Sequence, residues 1–490
     1  MSVDSNYHRI ISPVLREWIA PAGEKHRSTP VGLLACQRDP LLRQLDATVV
    51  SSALYTSPPP PPKGKNAKKA VIAPTISQDA VCLEVCLNDT VIFPEGGGQP
   101  TDIGVIHTLA DNTRWEVLQA KRHGSLAVHY VRVPETTTGE AALVALAPGA
   151  QVRVELDQTA FDRRYDHMSL HTSQHLLSAL LDKIQLPTLS WSLTSYPTPC
   201  YVELPRGMTV DEISMIQQEA NQLALEGRKV HVEVEELDPE ARKPVEKLES
   251  GRAVGRGLPE DYTGGVNRVV VIDGVDRNPC CGTHLPTLNN LQLFILPHTD
   301  ALSRSSTTVA RLYFLAGPRL INHLVSTHNN LISTAAILSC GTPQVPERVS
   351  QVIDDRKNST RRAEDLELEL AKHLASDLVR DMQGVEGTFK KHLHRTDDSG
   401  NVVSFLTAIA SAFSDVAAQS GAPYLVVLRR TNTNVLFIIG SDEKNVKAIG
   451  DGLKTQLGVK GGGKGLKWSG KFVGVWKAGK VIEQVLETAV

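Results

Sequence analysis

No apolar run in the chain approaches the roughly 20 residues that a membrane-crossing helix needs. The strongest stretches, residues 291–296 and 435–439, have the length of strands, so a membrane-spanning protein is excluded. Charge of one sign is also missing. Lys+Arg number 52 and Asp+Glu 54, net −2, which rules out a uniformly basic nucleic-acid coat while leaving room for a local basic surface. Seven cysteines are too few, and odd in number, for a disulfide framework, and fit a reducing compartment. The N-terminus has no apolar signal core, and Asp4, Glu17 and Glu24 interrupt the basic residues that a transit peptide would need. There is no GxxxxGK[ST] phosphate loop, no GxGxxG turn after a strand and no GxSxG elbow, so neither an ATP-driven nor a serine-hydrolase apparatus is visible. What remains is an ordinary globular composition, 41% apolar and 22% charged over 490 residues. It predicts a soluble, cytoplasmic protein of about three domains.

Residues 57–70 read SPPPPPKGKNAKKA; polyproline followed by lysines resists both helix and sheet, as a surface insertion or a partner-binding loop would. Short β-like runs at 47–54, 81–87, 90–93, 115–119, 126–133 and 151–156 predict a small antiparallel barrel over 33–156, behind a loosely attached extension at 1–32. From residue 157 helices and strands alternate: helices at 168–183 and 209–227, strands at 201–204, 229–235, 269–272, 291–296 and 308–316. They form an α+β unit that ends near 320. Residues 345–383, within a helical connector spanning 321–394, carry Leu366, Leu370, Leu374 and Leu378 at four-residue steps. That is a packing face or a short coiled-coil arm, and a homodimer through it is one expectation. Residues 395–490 form a final α/β module with a Lys- and Gly-rich tail. The fold class expected is α+β, multidomain.

Three runs carry chemistry. His167, His171 and His175 stand at four-residue steps in DHMSLHTSQHLL, where adjacent members of a helix face can share one ion. Cys280 and His284 in CCGTH, within a Pro/Gly-rich turn, offer a thiolate and an imidazole at the same spacing. Two histidines from a helix with Cys and His from a turn would make a tetrahedral site suited to Zn²⁺, the alternative being separate core or surface residues. Gln174 stands inside the helix pair where a zincin protease has Glu directly after its first His, which disfavours peptide hydrolysis. The third run, FPEGGGQPTDIG at 93–104, joins glycines that permit close backbone approach to Gln99, which both donates and accepts; a plain hairpin loop reads the same way.

Together with FDRRYDHMSLHTSQHLL (161–177), GRGLPEDY (255–262) and IDGVDRNPCCGTHLPTLNNL (272–291), this run resembles the alanyl-tRNA editing family, freestanding relatives of the alanyl-tRNA synthetase editing domain, in its long form. The resemblance implies one zinc per chain on His171, His175, Cys280 and His284, with His167 outside the set and Cys281 a second thiol beside the ligand. It places Gln99 beside the catalytic pocket, and Ser192 or Thr194 as the hydroxyl that tells Ser from Ala. It implies hydrolysis of the ester joining a wrong amino acid, Ser and also Gly, to tRNA for alanine. A pocket made for Ala cannot exclude Gly and admits Ser, so a second sieve is needed. About 32 residues precede the expected barrel, whereas an aminoacylation domain needs several hundred, so alanine activation is not expected.

The tail holds Lys454, Lys460, Lys464, Lys467, Lys471, Lys477 and Lys480 among glycines, with Trp468, Phe472 and Trp476 interleaved. Such a pattern suits RNA phosphates and base stacking, and likeness to the glycine-rich C-terminal domain of alanyl-tRNA synthetases points the same way; a solvated end with its aromatics in a core is the other reading. Rival functions are a noncatalytic, zinc-stabilised tRNA- or protein-binding relative and a deacylase of other specificity, such as Ser-tRNA for threonine.

Overall fold

The computed structural model describes residues 3–13, 15, 27–56, 76, 80–237, 266–297, 299–301, 310–395, 402–430 and 435–471. The Pro/Lys stretch at 57–70, the GRGLPEDY motif and the tail beyond 471 lie outside the described residues. The chain divides into two compact units, Met1–Asn330 and Leu331–Val490.

The first unit opens with β1 (His8–Ile10) and a one-turn α1 (Ala35–Arg38). It continues through β2 (Gln44–Leu54), β3 (Cys82–Leu87), β4 (Gly104–Thr108), β5 (Arg114–His123), β6 (Leu126–Arg132), α2 (Gly139–Ala145) and β7 (Gln151–Glu155). The six strands from β2 to β7 close into a barrel in the order β2-β3-β6-β5-β4-β7. Alternation explains the closure: in β7, Val152 and Val154 are fully buried while Gln151 faces solvent. Register shifts at Val49/Ser51 and Val117/Gln119 give the bulges that let so small a barrel turn its corners. The run at 90–93, expected as a strand, is not one. Its Val91, Ile92 and Phe93 are buried, but side chains satisfy the local backbone: Arg164 donates to the Val91 carbonyl and Asp102 accepts from the Phe93 amide.

The second half of this unit contains α3 (Gln158–Lys183), β8 (Ser190–Ser192), β9 (Cys200–Leu204), α4 (Val210–Glu226), β10 (Val230–Glu236), β11 (Val266–Ile272), β12 (Asp276–Pro279), β13 (Phe294–Ile295), β14 (Thr299–Ala301) and β15 (Ala310–Ala316). Two sheets result, β1-β10-β11-β12 and β13-β15-β9-β8, with β14 on β15. α3 begins ten residues earlier than its apolar run suggested, because Asp157 caps it by accepting from the Ala160 amide. Its first turns contribute Ala160 and Phe161 to the barrel core, and Met168 to Leu181 are buried in the core of the two sheets. One helix therefore serves both cores. The strand expected at 291–296 is instead a 3₁₀ turn, Leu288–Leu291, followed by the two-residue β13, since Gln292 adopts φ 62° and breaks extension.

The extension at 1–32 is not loose where it is described. β1 pairs in parallel with β10, Tyr7 is buried, and its hydroxyl donates to the His284 carbonyl at 2.9 Å. A three-residue strand is too short to stand out in the sequence, so the burial was hidden.

α5 (Gly317–Ile337) crosses the division between units. The second unit then contains α6 (Val345–Met382), β16 (Phe389–Arg395), α7 (Val402–Ser420), β17 (Tyr424–Arg430), β18 (Val435–Gly440), α8 (Glu443–Leu457), β19 (Lys460–Lys464) and β20 (Lys467–Lys471). Its sheet has the order β16-β17-β18-β20-β19. Phe405, Leu406, Ile409 and Phe413 of α7 join Ala371, Ala375, Leu378 and Met382 of α6 in one core; Val446, Ile449 and Leu453 of α8 join Trp468 in another. The leucine stripe divides accordingly: Leu378 is buried, whereas Leu366 and Leu370 are exposed.

Candidate metal centre

Four side chains from two elements meet in the core of the first unit. His171 and His175 lie one turn apart on α3; Cys280 and His284 come from the turn after β12. One ligating atom from each lies within 4.8 Å of every other, and all four residues are buried. The Cys280 Sγ stands 3.3 Å from His171 Nε2 and 3.3 Å from His284 Nε2. Donors around a tetrahedral Zn²⁺ are spaced by about 3.5 Å, from bond lengths of about 2.0–2.3 Å. The two sulfur–nitrogen separations match that spacing and the other pairs lie within 4.8 Å, so three nitrogens and one sulfur could close on such an ion.

The neighbouring groups aim the ligands. His175 Nδ1 donates to Asp276 Oδ2 at 2.9 Å, which leaves Nε2 for the cluster. His171 Nδ1 donates to Gln99 Oε1 at 3.0 Å; the same oxygen accepts from the Thr283 amide at 2.9 Å, and Gln99 Nε2 donates to Thr283 Oγ1 at 2.8 Å. Gln99 is thus fully buried and acts on the site through His171. Electrostatics agree with a ligating thiolate. Burial raises the Cys280 thiol, but the imidazoles of His171 and His284 outweigh it and hold the group well below its usual range. Burial likewise opposes charge on His175, yet Asp276 and the Cys280 sulfur lift it to about 10. His284 is pushed down to about 3 by burial and by His171.

The turn is held from three directions. Arg268, fully buried, donates to the carbonyls of Cys280 and Gly282 at 3.1 and 2.6 Å and to that of Gln37 at 3.2 Å. Gln37 Nε2 donates to the Cys281 carbonyl, and Thr172 Oγ1 accepts from the Leu285 amide. Gly282 must be glycine: a Cβ there would lie 2.2 Å from His171 Cε1 and 2.9 Å from Gln99 Oε1. A second buried anchor, the Arg164–Asp102 ion pair, joins α3 to the end of the glycine loop.

The GGGQ run forms the wall of the site. Gly97 and Gly98 adopt φ 57° and 75°, and a Cβ on Gly98 would strike the Trp191 ring at 2.6 Å. The Trp191 ring lies 5.0 Å from that of His171, so an indole flanks the ligand imidazole. Alternation along β8 turns the neighbours of Trp191, Ser190 and Ser192, to the other face. Thr194 is engaged elsewhere: its Oγ1 donates to the Thr198 carbonyl at 2.6 Å and accepts from Arg319 at 3.1 Å. His167 is buried one turn before His171 and does not join the four. Of the vicinal thiols it is Cys280 whose sulfur converges, while Cys281 packs under Gly96 and Gly97. The sequence reading did not single out Asp276, Trp191 or Thr283. Asp276, four residues before Cys280, was the most accessible of these, since a ligand histidine calls for an outer carboxylate.

Across the chain, similarity to known proteins is extensive, although no protein-family model matches. The alanyl-tRNA editing protein Aarsd1 of Rattus norvegicus is 32% identical over 444 residues, 89% of this chain and 93% of that protein. The chain belongs to the alanyl-tRNA editing protein family. The Mus musculus protein of the same name is 31% identical over 443 residues, again 89% of this chain and 93% of the relative. An alanine–tRNA ligase of Thermococcus kodakarensis is 28% identical over 379 residues, 76% of this chain but 36% of the ligase.

In the second unit Lys454, Lys460, Lys464, Lys467 and Lys471 are exposed. Lys460 stands directly opposite Lys471, and Lys464 opposite Lys467, on the β19–β20 hairpin. Trp468 does not offer a stacking face. It is buried against α8, where a Cβ on Gly450 would lie 2.6 Å from its Nε1. Phe472 and Trp476 lie outside the described residues. No helix among the described residues is long and apolar enough to cross a membrane.

Proposed function

We propose that the protein hydrolyses mischarged tRNA for alanine in trans, releasing Ser, and also Gly, from the terminal ribose. The observation that carries this reading is the buried His171–His175–Cys280–His284 quartet beneath a GGGQ loop, in a chain of the editing family. Zn²⁺ held by these four would supply Lewis acidity toward the ester or a bound water.

The chain's own residues do the rest. Gln99 and Asp276 fix the orientation of His171 and His175 through their Nδ1 protons. The Gly97–Gly98 backbone packs against Cys281 and Trp191, and the Trp191 ring lies beside that of His171, so an amino acid bound there would have to be small. Thr283 presents a buried hydroxyl beside Gln99 and is the candidate for sensing the serine hydroxyl, in place of Ser192, which shares no face of β8 with Trp191, and Thr194, which is held by Thr198 and Arg319. The exposed lysines of the β19–β20 hairpin, with Lys454, would grip tRNA phosphates. Like charges placed directly opposite one another disfavour a hairpin unless an anion screens them. We place the reaction in the cytoplasm.

The test is to incubate purified protein with Ser-, Gly- and Ala-charged tRNA for alanine and to follow deacylation with and without chelator. Chelator-sensitive loss of Ser, with Ala spared, is the expected outcome. Binding without hydrolysis would favour a noncatalytic relative, and preference for Ser-tRNA for threonine a different specificity.

A further inference from the structure

Beside its metal ligands α3 carries a second line of polar side chains. On a helix turning about 100° per residue, His167 and Arg163 lie about 40° and 80° round from His171, and about 6 and 12 Å along the axis toward the N-terminus. Arg164 lies about 20° to the other side of His171, where Asp102 answers it. Arg319, beyond the second line, is answered by Asp166 and by the Thr194 and Thr198 carbonyls. Three arginines thus meet two carboxylates, and Arg163 is the one left over. Its Nη1 donates to the Thr101 carbonyl, but its Nη2 is buried without a partner among the described residues. Burial pulls this guanidinium below its usual range, and Asp102 and Asp166 offset that only in part. His167 is 3% exposed, and its Nδ1 has no partner either. Burial first, then Arg163, Arg319 and His171, keep its imidazole neutral. Buried polar atoms are seldom left unanswered, and two on neighbouring turns of one helix, next to a metal cluster, point to a ligand. Arg163, Gly98 and Trp191 are only partly buried or exposed, so this end of α3 is open to one.

We propose that Arg163 and His167 receive the 3′ end of the tRNA. Arg163 Nη2 donates to the phosphodiester that precedes the terminal adenosine, and His167 pairs with the free hydroxyl of the terminal ribose, next to the ester. The order along the helix carries the assignment. From the quartet outward come a neutral imidazole and then a guanidinium; from the ester outward come a ribose hydroxyl and then a phosphate. A guanidinium suits a phosphate, and a neutral imidazole suits a hydroxyl. A free amino acid has nothing to offer Arg163 at this distance from the quartet, so the subsite selects an ester carried on a nucleotide. The assignment rests on the reaction proposed above and names the part of the substrate that these two residues hold.

Binding tests it without turnover. The probe is 3′-deoxy-3′-(L-serylamino)adenosine, an amide in place of the ester, with and without a 5′-phosphate, titrated calorimetrically into full-length protein purified without chelator. Wild type should bind the phosphorylated probe about 10–100-fold more tightly, as a charge-assisted hydrogen bond allows. Arg163→Met should erase that preference while keeping affinity for the unphosphorylated probe and zinc content; Arg163→Lys should keep part of it. Removing the 2′-hydroxyl from the phosphorylated probe should weaken wild-type binding about 3–10-fold and leave His167→Phe binding unchanged. Each comparison sets two probes on one protein, so damage to the fold would lower both alike. A wild type indifferent to the 5′-phosphate, or an Arg163→Met variant that still prefers it, would overturn the proposal. Wild type that deacylates Ser-tRNA for alanine yet ignores the phosphate would sink this subsite alone; wild type that binds neither probe would sink the reaction reading with it.

Discussion

In the first unit Arg164, Arg268 and Arg319 are all buried, and each is answered: Arg164 and Arg319 by Asp102 and Asp166, Arg268 by three carbonyls around the Cys280 turn. In the second unit Arg356, Arg361 and Arg362 stand in solvent, with no carboxylate within 4 Å among the described residues, and four lysines face one another across a hairpin. Buried charges paired in this way fix a geometry, Arg268 Nε and Asp102 Oδ1 being the atoms of these groups left without a partner among the described residues, and they do so where placement of ligands decides chemistry. Exposed and unsatisfied charges are free to meet a partner, so that recognition is concentrated where the structure leaves electrostatics incomplete. On the function proposed above, the two units would divide chemistry from gripping.

That contrast can be broken at several points. The largest effect should come from the quartet: Cys280→Ala or His171→Ala should abolish hydrolysis of Ser-tRNA for alanine and remove metal, as activity and elemental analysis would register. Gln99→Ala and Asp276→Asn act only through a ligand and should cost about 10–100-fold in metal affinity or rate. Undiminished turnover in all four would refute the assignment.

Next comes the anchor. Asp102→Ala leaves Arg164 buried without its carboxylate and should destabilise the first unit by about 3–5 kcal/mol, read as a lower denaturation midpoint. A loss below about 1 kcal/mol, the value of an exposed pair, would show that the buried arginines do not fix this geometry.

The barrel supplies a test in pH. His129 is buried between Thr90 Oγ1 at 2.9 Å and the Val85 carbonyl at 3.0 Å, and burial pushes it down to about 4. Its folded pKa lies below the unfolded value of about 6.5, so the unfolded chain binds the proton first. Stability should therefore be full above about 6.5, fall as pH drops toward 4, and level off below, with about 3 kcal/mol lost. His129→Gln, which does not titrate, should flatten that part of the profile; an unchanged slope would assign it to other groups.

The smallest effect should be on the exposed side. Replacing Lys460, Lys464, Lys467 and Lys471 with Ala should weaken tRNA binding and make the log K against log[salt] slope shallower by up to about 3–4. The rate at saturating tRNA should change less than the apparent KM, as when uniform binding is lost. Equal slopes would reduce the hairpin to a soluble end.

How far the sequence disclosed these features follows their physics. Spacing marked His167, His171 and His175 on one helix face and paired Cys280 with His284, because a helix turn and a tight turn both bring residues four apart together; the family resemblance, not the spacing, chose His171 and His175. The barrel was legible from alternation in runs such as 151–155. What escaped depends on contacts distant in sequence. Nothing local marks Trp191 as the wall against Gly98, or Tyr7 as a support for the His284 turn 277 residues away. The 90–93 run misled because a buried apolar segment whose backbone is satisfied by side chains looks like a strand. Trp468 misled because composition cannot tell a tryptophan that stacks on bases from one that fills a core.

The most direct measurement combines metal content with turnover on one preparation. Protein purified without chelator should contain one zinc per chain and deacylate Ser-tRNA for alanine while sparing Ala-tRNA, and stripping the metal should remove both the zinc and the activity. Metal-free protein that deacylates at full rate, or zinc-replete protein inert toward Ser- and Gly-charged tRNA alike, would contradict a zinc-dependent editing site at His171, His175, Cys280 and His284.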